Sequence, residues 1–120
     1  MPVYRFLYSG NFSNISPLPF LGAYHESELP LLFGTDGNFR GPTTPLEKET
    51  SKVMQDRWLA FARDGVKGME EVGWPRYGAS QHGMVEEFGA GQPVQEISVV
   101  KMDAECKVLW DKGMFGGPAS

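Results

Sequence analysis

The strongest local constraint on this chain is the sequence Thr44-Pro45-Leu46-Glu47, which predicts the start of a helix. The Thr44 side chain can accept from the Glu47 amide while the Glu47 side chain reaches back, and proline suits the first helical position. Asp64-Gly65 is expected to end this helix. The predicted apolar stripe comprises Leu46, Thr50, Val53, Met54, Trp58, Phe61 and Ala62, and the side chains facing away are those of Lys48, Lys52, Gln55, Asp56 and Arg63. A stripe of this kind needs a body to pack against.

Two shorter elements precede this helix. Residues 3–8 (VYRFLY) are rich in β-branched and aromatic residues, which predicts a short strand buried in a sheet. Residues 26–33 (ESELPLLF) begin with acidic side chains and end with apolar ones, which predicts a short helix. Pro30 falls near its first turn, where the missing amide costs little, and Gly34 is expected to end it.

The rest of the chain shows weaker patterns. Its 15 glycines and 9 prolines among 120 residues exceed the average usage of about 7% and 5%, and predict long irregular stretches. Residues 66–93 are expected to form a Gly-rich loop, 96–102 are consistent with a strand, and 107–110 form a second short apolar run. Residues 113–120 are expected to be a disordered tail. The predicted fold class is α/β, with two or three short strands, two main helices and long Gly/Pro-rich loops.

Composition argues against several functions. The net charge of −4, without clustered Lys and Arg, argues against a nucleic-acid partner. No window approaches the roughly 18 apolar residues of a membrane span. The first 11 residues contain Arg5 and lack a long apolar core, so they do not resemble a signal peptide, and the location of the protein stays open. Triplets of the glycosylation type begin at Asn11 and Asn14, but such triplets often arise by chance.

The chain has two histidines, and His25 is the better candidate for chemistry. It lies on the loop between the first predicted strand and helix, where a histidine can act as general base. A packed or helix-capping histidine is the alternative reading of the same pattern. His82 lies among glycines and polar residues and is expected to be solvated. No spacing fixes His25, Glu28 and His82 as metal ligands, so no metal site is expected.

A nucleophile is not evident. Gly78-Ala79-Ser80-Gln81-His82 departs from Gly-x-Ser-x-Gly at its last position and follows no predicted strand, so Ser80 is interpreted as a chance match. Cys106 is the single cysteine, which excludes an internal disulfide and cysteine-based metal sites. It lies near an apolar run and is expected to be a buried structural thiol. No organic cofactor is implied.

Residues 11–34 (NFSNISPLPFLGAYHESELPLLFG) strongly resemble the catalytic-histidine region of the carboxylesterase type B family, which includes cholinesterases and many fungal esterases. The family's Gly-x-x-His-x-x-Glu motif, apolar helix and closing Phe-Gly correspond to Gly22, His25, Glu28, Phe33 and Gly34. Further matching positions, in the family's order, are Met54, Trp58, Phe61-Ala62, Trp74-Pro75, Tyr77, Asp103, Cys106 and Trp110. The resemblance therefore covers roughly residues 3–110.

The resemblance implies that residues 1–112 are the C-terminal part of an α/β-hydrolase domain. His25 would be the catalytic base of a Ser-Asp/Glu-His triad, with Glu28 a supporting carboxylate nearby. The triad order of this fold places the serine and the acid upstream of these residues. A carboxylic ester is then the substrate once the missing part is supplied, and the 120 residues alone are expected to be inactive.

Two further expectations come with the resemblance. Apolar surface meant for an absent body is expected to promote self-association, and family members are often secreted. The alternative function is a non-catalytic binding or scaffold protein that keeps the esterase surface.

Overall fold

The computed structural model describes residues 1–78 and 83–113. Its elements, in chain order, are β1 (Phe6–Tyr8), α1 (Leu29–Leu32), α2 (Pro45–Glu71), β2 (Met84–Phe88), β3 (Val94–Ser98), α3 (Val99–Met102) and α4 (Ala104–Asp111). Single turns of 3₁₀ helix lie at Pro19–Leu21 and Asp36–Asn38. The described residues thus combine four α-helices with a three-stranded mixed sheet, which agrees with the predicted α/β class.

The sheet is built around β2. Its strand order is β1-β2-β3, with β1 parallel to β2 and β3 antiparallel to it. Phe6 lies opposite Glu86 in the parallel pair, and Val85 lies opposite Ile97 in the antiparallel pair. Parallel neighbours need a crossover connection, which α2 supplies here. Within the described residues, β1 is therefore an edge strand whose second side has no strand partner.

The predicted start of α2 is confirmed. The Glu47 amide donates to the Thr44 hydroxyl oxygen at 3.2 Å, and the Thr44 amide donates to Glu47 Oε2 at 3.3 Å. The predicted end is confirmed in part, because Gly65 has non-helical backbone angles (φ 55°, ψ −126°) but a further helical stretch continues to Glu71. The break turns the chain back, since a Cβ added at position 68 would collide with the Ala60 carbonyl oxygen.

An aromatic cluster joins α2 to the sheet. The Phe6 and Trp58 rings lie 5.0 Å apart between centroids, and Phe88 lies 5.9 Å from Trp58 and 5.7 Å from Trp74. These edge-to-face contacts are a favourable arrangement for aromatic pairs. Arg57 adds a polar tie to the sheet, because its Nε donates to Glu86 Oε2 at 2.7 Å in a largely buried ion pair.

The region around β2 and β3 differs from the sequence prediction. The sequence pattern predicts a loop over residues 66–93, but β2 and the end of α2 lie within this range. The predicted strand at 96–102 is correct only as far as Ser98, whose side chain accepts from the Lys101 amide and so starts α3. Residues 107–110 belong to α4.

Two further details of the prediction need correction. β1 is limited to Phe6–Tyr8, although Val3 was expected within it. Phe61 and Ala62 were assigned to the buried stripe of α2 but are exposed, Phe61 by 56%. Phe61 borders an open apolar cleft of about 290 Å³ beside Met1 and Val3, which leaves much of its ring uncovered. No helix within residues 1–78 and 83–113 is long and apolar enough to cross a membrane.

Candidate active site

The loop that carries His25 connects the 3₁₀ turn at Pro19–Leu21 to α1. It is fastened from behind to residues 14–16, which are buried and are called the anchor segment below. The Tyr24 hydroxyl donates to the Ile15 carbonyl at 2.9 Å, and the Ser16 hydroxyl donates to the Gly22 carbonyl at 2.9 Å. Gly22 adopts φ 54° and ψ −137°, a backbone conformation that essentially only glycine tolerates. The loop conformation is therefore determined on both sides of Ala23.

The His25 side chain projects away from this framework. It is 93% exposed, and its Nε2 lies 3.5 Å from Glu26 Oε1 on a carboxylate that is itself largely exposed. The imidazole is thus anchored through its backbone while its ring stays accessible. The ring is therefore not packed against any of the described residues, in contrast to the alternative of a packed histidine.

Glu26 marks backbone strain directly after His25. Its φ is 67°, and it is the single non-glycine residue with positive φ in the described part of the chain. A residue with a Cβ pays roughly 1–2 kcal/mol for this left-handed conformation. The strain turns the chain between His25 and α1, since the Leu29 amide donates back to the Glu26 carbonyl at 3.1 Å.

Glu26→Gly is accordingly expected to raise the free energy of unfolding by about 1 kcal/mol, because glycine adopts this φ without steric cost. Urea denaturation of the two proteins measures the difference. Glu28→Gly is the matched control in the same loop, since Glu28 has an ordinary φ of −77° and glycine there should give no gain. Equal effects of the two substitutions would contradict strain at Glu26.

Glu28 lies at the start of α1, where its carbonyl accepts from the Leu31 amide at 3.1 Å and the Leu32 amide at 3.0 Å. Among the described residues, no hydrogen bond or ion pair joins its side chain to His25. Its carboxylate instead contributes to the raised pKa of the Tyr8 hydroxyl, which results first from burial and then from the charges of Glu47 and Glu28. Glu28 is half-buried, and its carboxylate acts electrostatically on the Tyr8 hydroxyl.

Asn14 of the anchor segment belongs to a group of buried polar side chains, called the polar layer and consisting of Asn14, Asp36 and Glu47. Asn14 Nδ2 donates to the Asp36 carbonyl at 3.1 Å, and the Thr43 hydroxyl donates to Asp36 Oδ2 at 2.7 Å. Asn14 Oδ1 and Glu47 Oε1 are both buried without a hydrogen-bond partner among the described residues. Buried acceptors are normally paired, so two of them in one layer require a donor.

Burial raises the pKa of the Glu47 carboxyl, and the nearby Asp36 charge adds to this effect. The approach of the Asn14 side chain and the Thr44 amide lowers the pKa but does not cancel the rise. The protonated form of Glu47 is therefore favoured in the folded protein compared with an exposed glutamate.

A raised pKa in the folded state means that folding binds a proton. The contribution of Glu47 to stability is complete below the unfolded pKa of about 4.3 and is lost as the pH rises through the folded pKa. Glu47→Gln, which cannot ionise, is expected to flatten this part of the stability curve in urea denaturation between pH 4 and about 8. Glu49→Gln, on the exposed side of the same helix turn, should leave the slope unchanged. A slope that Glu47→Gln does not alter would contradict the raised pKa.

Sequence reasoning located the His25 loop but missed the polar layer. Glu47 was recognised as a helix cap, and nothing local indicated that its carboxyl is fully buried. Asn14 was considered only as part of a glycosylation triplet, yet its side chain is buried and bonded to Asp36. The available signal was the concentration of asparagine and serine just before an apolar, proline-containing loop.

The remaining candidates do not add to the site. His82 and Ser80 lie outside the described residues. Within residues 1–78 and 83–113, no group of three His, Cys, Asp or Glu side chains is placed to hold a metal ion.

The prediction of a buried Cys106 is wrong. Its thiol is free and exposed, because α4 contacts the rest of the described chain too little to bury any of its residues. The apolar run that surrounds Cys106 in the sequence lies on this exposed helix and therefore provides no cover for the thiol.

Comparisons with known proteins agree with one another. The sequence profile of the carboxylesterase family matches residues 2–104. Secreted lipase 5 of Gibberella zeae is 46% identical over 105 residues, which make up 86% of this chain and 19% of that protein. Chlorogenic acid esterase of Aspergillus niger is 34% identical over 121 aligned positions, which cover 88% of this chain and 24% of that protein. An acetylcholinesterase of Bungarus fasciatus is 38% identical over 82 residues, 66% of this chain and 14% of that protein.

The coverage is as informative as the identity. The chain spans about a fifth to a quarter of the length of the first two relatives it matches. No solved structure gives a significant match.

Proposed function

The chain belongs to the carboxylesterase family, and on that premise we propose that it is the C-terminal portion of a carboxylic ester hydrolase in which His25 is the general base. Fungal relatives named as a lipase and an esterase support an ester as the substrate. In this proposal the fold is a fragment of an α/β-hydrolase, and β1 is the strand that would continue into the missing part of the sheet.

The observation that carries the proposal is the placement of His25. A general base must be accessible to the group whose proton it takes and must be held in position before the reaction. The exposed ring on a loop tied to the anchor segment meets both conditions. A structural histidine would instead be expected to bury its ring or hydrogen-bond it to a neighbouring element.

The proposed chemistry follows from that role. His25 takes the proton of a serine hydroxyl while the serine oxygen attacks the ester carbonyl, and then gives this proton to the departing alcohol. Water reacts with the resulting acyl-serine by the same proton path in reverse order, which releases the acid. Glu28 is proposed as a supporting carboxylate behind the His25 loop, acting on the Tyr8 environment rather than on the ring.

We also propose that these 120 residues do not hydrolyse esters by themselves. No Gly-x-Ser-x-Gly sequence occurs in them, and a nucleophile elbow requires that turn after a strand. Loss of a serine nucleophile costs on the order of 10⁶-fold in kcat in a serine hydrolase. The oxyanion hole would have to come from the missing portion as well.

The transcript and the sequence upstream of Met1 test this proposal. We expect an in-frame Gly-x-Ser-x-Gly, followed by an Asp or Glu that could complete the triad before His25. An upstream region with no such motif would contradict a catalytic role and would favour a binding or scaffold protein that keeps the esterase surface.

A further inference from the structure

We propose that Asn14 and Glu47 are positioning residues for His25, because they fix the anchor segment to which the His25 loop is hydrogen-bonded. This role rests on the proposed function, since it takes His25 to be the general base. Neither residue contacts the His25 ring; both act through the backbone of the anchor segment.

Hydrogen bonds connect the His25 loop to the anchor segment. The loop is held by the bonds from Tyr24 to the Ile15 carbonyl and from Ser16 to the Gly22 carbonyl. The Arg40 guanidinium also approaches the Ile15 carbonyl, at 3.4 Å. Any movement of the anchor segment is therefore passed to Gly22 and Tyr24, which precede His25 in the loop.

The anchor segment is held mainly through Asn14. Asn14, its first residue, bonds to the Asp36 carbonyl through Nδ2 and receives the Arg40 amide on its own carbonyl at 3.4 Å. The Asn14 side chain also lies against the Glu47 carboxyl, at the N-terminus of α2. Glu47 is held in turn by the capping box with Thr44. The anchor segment is therefore connected to the N-terminus of α2.

The polar layer contains two buried acceptor atoms, one on Asn14 and one on Glu47. Asn14 Oδ1 and Glu47 Oε1 are both buried without a donor among the described residues, and a proton on Glu47 would supply a donor within this layer. The raised pKa of Glu47 is consistent with that proton. Glutamine at position 47 would keep an oxygen for the Thr44 amide and offer an amide donor to Asn14, so it should preserve the contact between the two side chains. Alanine at position 47 would remove this contact.

The positioning role of Asn14 and Glu47 is tested in the 120-residue chain by ¹⁵N relaxation, which needs no enzymatic activity. In Glu47→Ala and Asn14→Ala, we expect the order parameters of the Tyr24 and His25 amides to fall from about 0.85 towards 0.6, while amides in the middle of α2 stay rigid. Glu47→Gln should keep the native values. Glu49→Ala, two residues further along α2 and on its exposed face, is the control for general effects at the helix start.

Unchanged order at Tyr24 and His25 in both alanine variants would overturn the proposal, and so would equal loosening by Glu47→Ala and Glu47→Gln. Asn14→Ala leaves the capping box intact, so it carries the test if Glu47→Ala fails to fold. In a protein completed with its upstream part, Glu47→Ala should lower kcat with KM little changed. If the alanine variants loosen the loop but the completed protein has no esterase activity, the result would count against His25 as the base. It would not count against the role of Asn14 and Glu47 in holding the loop.

Discussion

Replacing His25 by alanine is expected to lower kcat for ester hydrolysis by about 10⁶-fold in a protein that joins this chain to the upstream part of a carboxylesterase. The reason is that the serine hydroxyl is a weak nucleophile at its ordinary pKa and depends on a base to take its proton. The imidazole of His25 is the accessible base that the structure presents on an anchored loop. Hydrolysis of a p-nitrophenyl ester measures the effect.

His82→Ala is the matched control for this substitution, because His82 is the other histidine of the chain. It should leave kcat within a few-fold of the native value. An effect of His82→Ala as large as that of His25→Ala, or no effect of His25→Ala, would assign the base to another residue. A folding check by circular dichroism separates loss of catalysis from loss of structure.

Phe88→Ala is expected to destabilise the protein by about 3–5 kcal/mol, which is a large part of the stability of a small domain. Phe88 is fully buried at the end of the central strand, and its ring contacts those of Phe6, Trp58 and Trp74. Truncation removes the apolar transfer free energy and leaves a cavity where α2 meets the sheet. Urea denaturation, read by the shift of the unfolding midpoint, measures the change.

Phe61→Ala makes the matching substitution on the exposed side of α2. The ring is 56% exposed, so its loss should cost less than about 1 kcal/mol. The comparison tests whether the Phe61 side of α2 is exposed to solvent. Similar destabilisation by the two substitutions would mean that the Phe61 side of α2 is covered, and the described packing of the helix would be wrong.

The parts of the fold that were predictable are those encoded locally. The capping box at Thr44 and Glu47 requires only residues three positions apart, and it forms as the sequence indicates. Gly65 interrupts the helix where its sequence predicted an end. The short helix before Gly34 is likewise confirmed, although α1 is limited to Leu29–Leu32.

The central strand β2 was not predictable in the same way. Its sequence, MVEEF, has two consecutive glutamates and no alternation, and it lies in a glycine-rich region. Glu86 is buried because Arg57 on α2, distant in the sequence, pairs with it. A strand whose polar residue is compensated by a remote partner has no local signature, which is why this one was interpreted as loop.

The candidate site shows the same division. The position of His25 on a loop between β1 and α1 could be inferred from the order of the elements, and the family resemblance singled this residue out. Its accessible ring, the strain at Glu26 and the polar layer behind it depend on contacts between segments that the sequence does not connect. Asn14 and Asp36, for example, are 22 positions apart and meet only in the folded chain.

The most direct test of the account is ester hydrolysis by this chain before and after it is joined to an upstream portion, taken from its own gene or from the 46% identical secreted lipase 5. Both the chain alone and the upstream portion alone should be inactive on p-nitrophenyl acetate, and the joined protein should be active in a way that requires His25. Full activity of the upstream portion alone, or activity of the joined protein that survives His25→Ala, would contradict the claim that this chain supplies the general base.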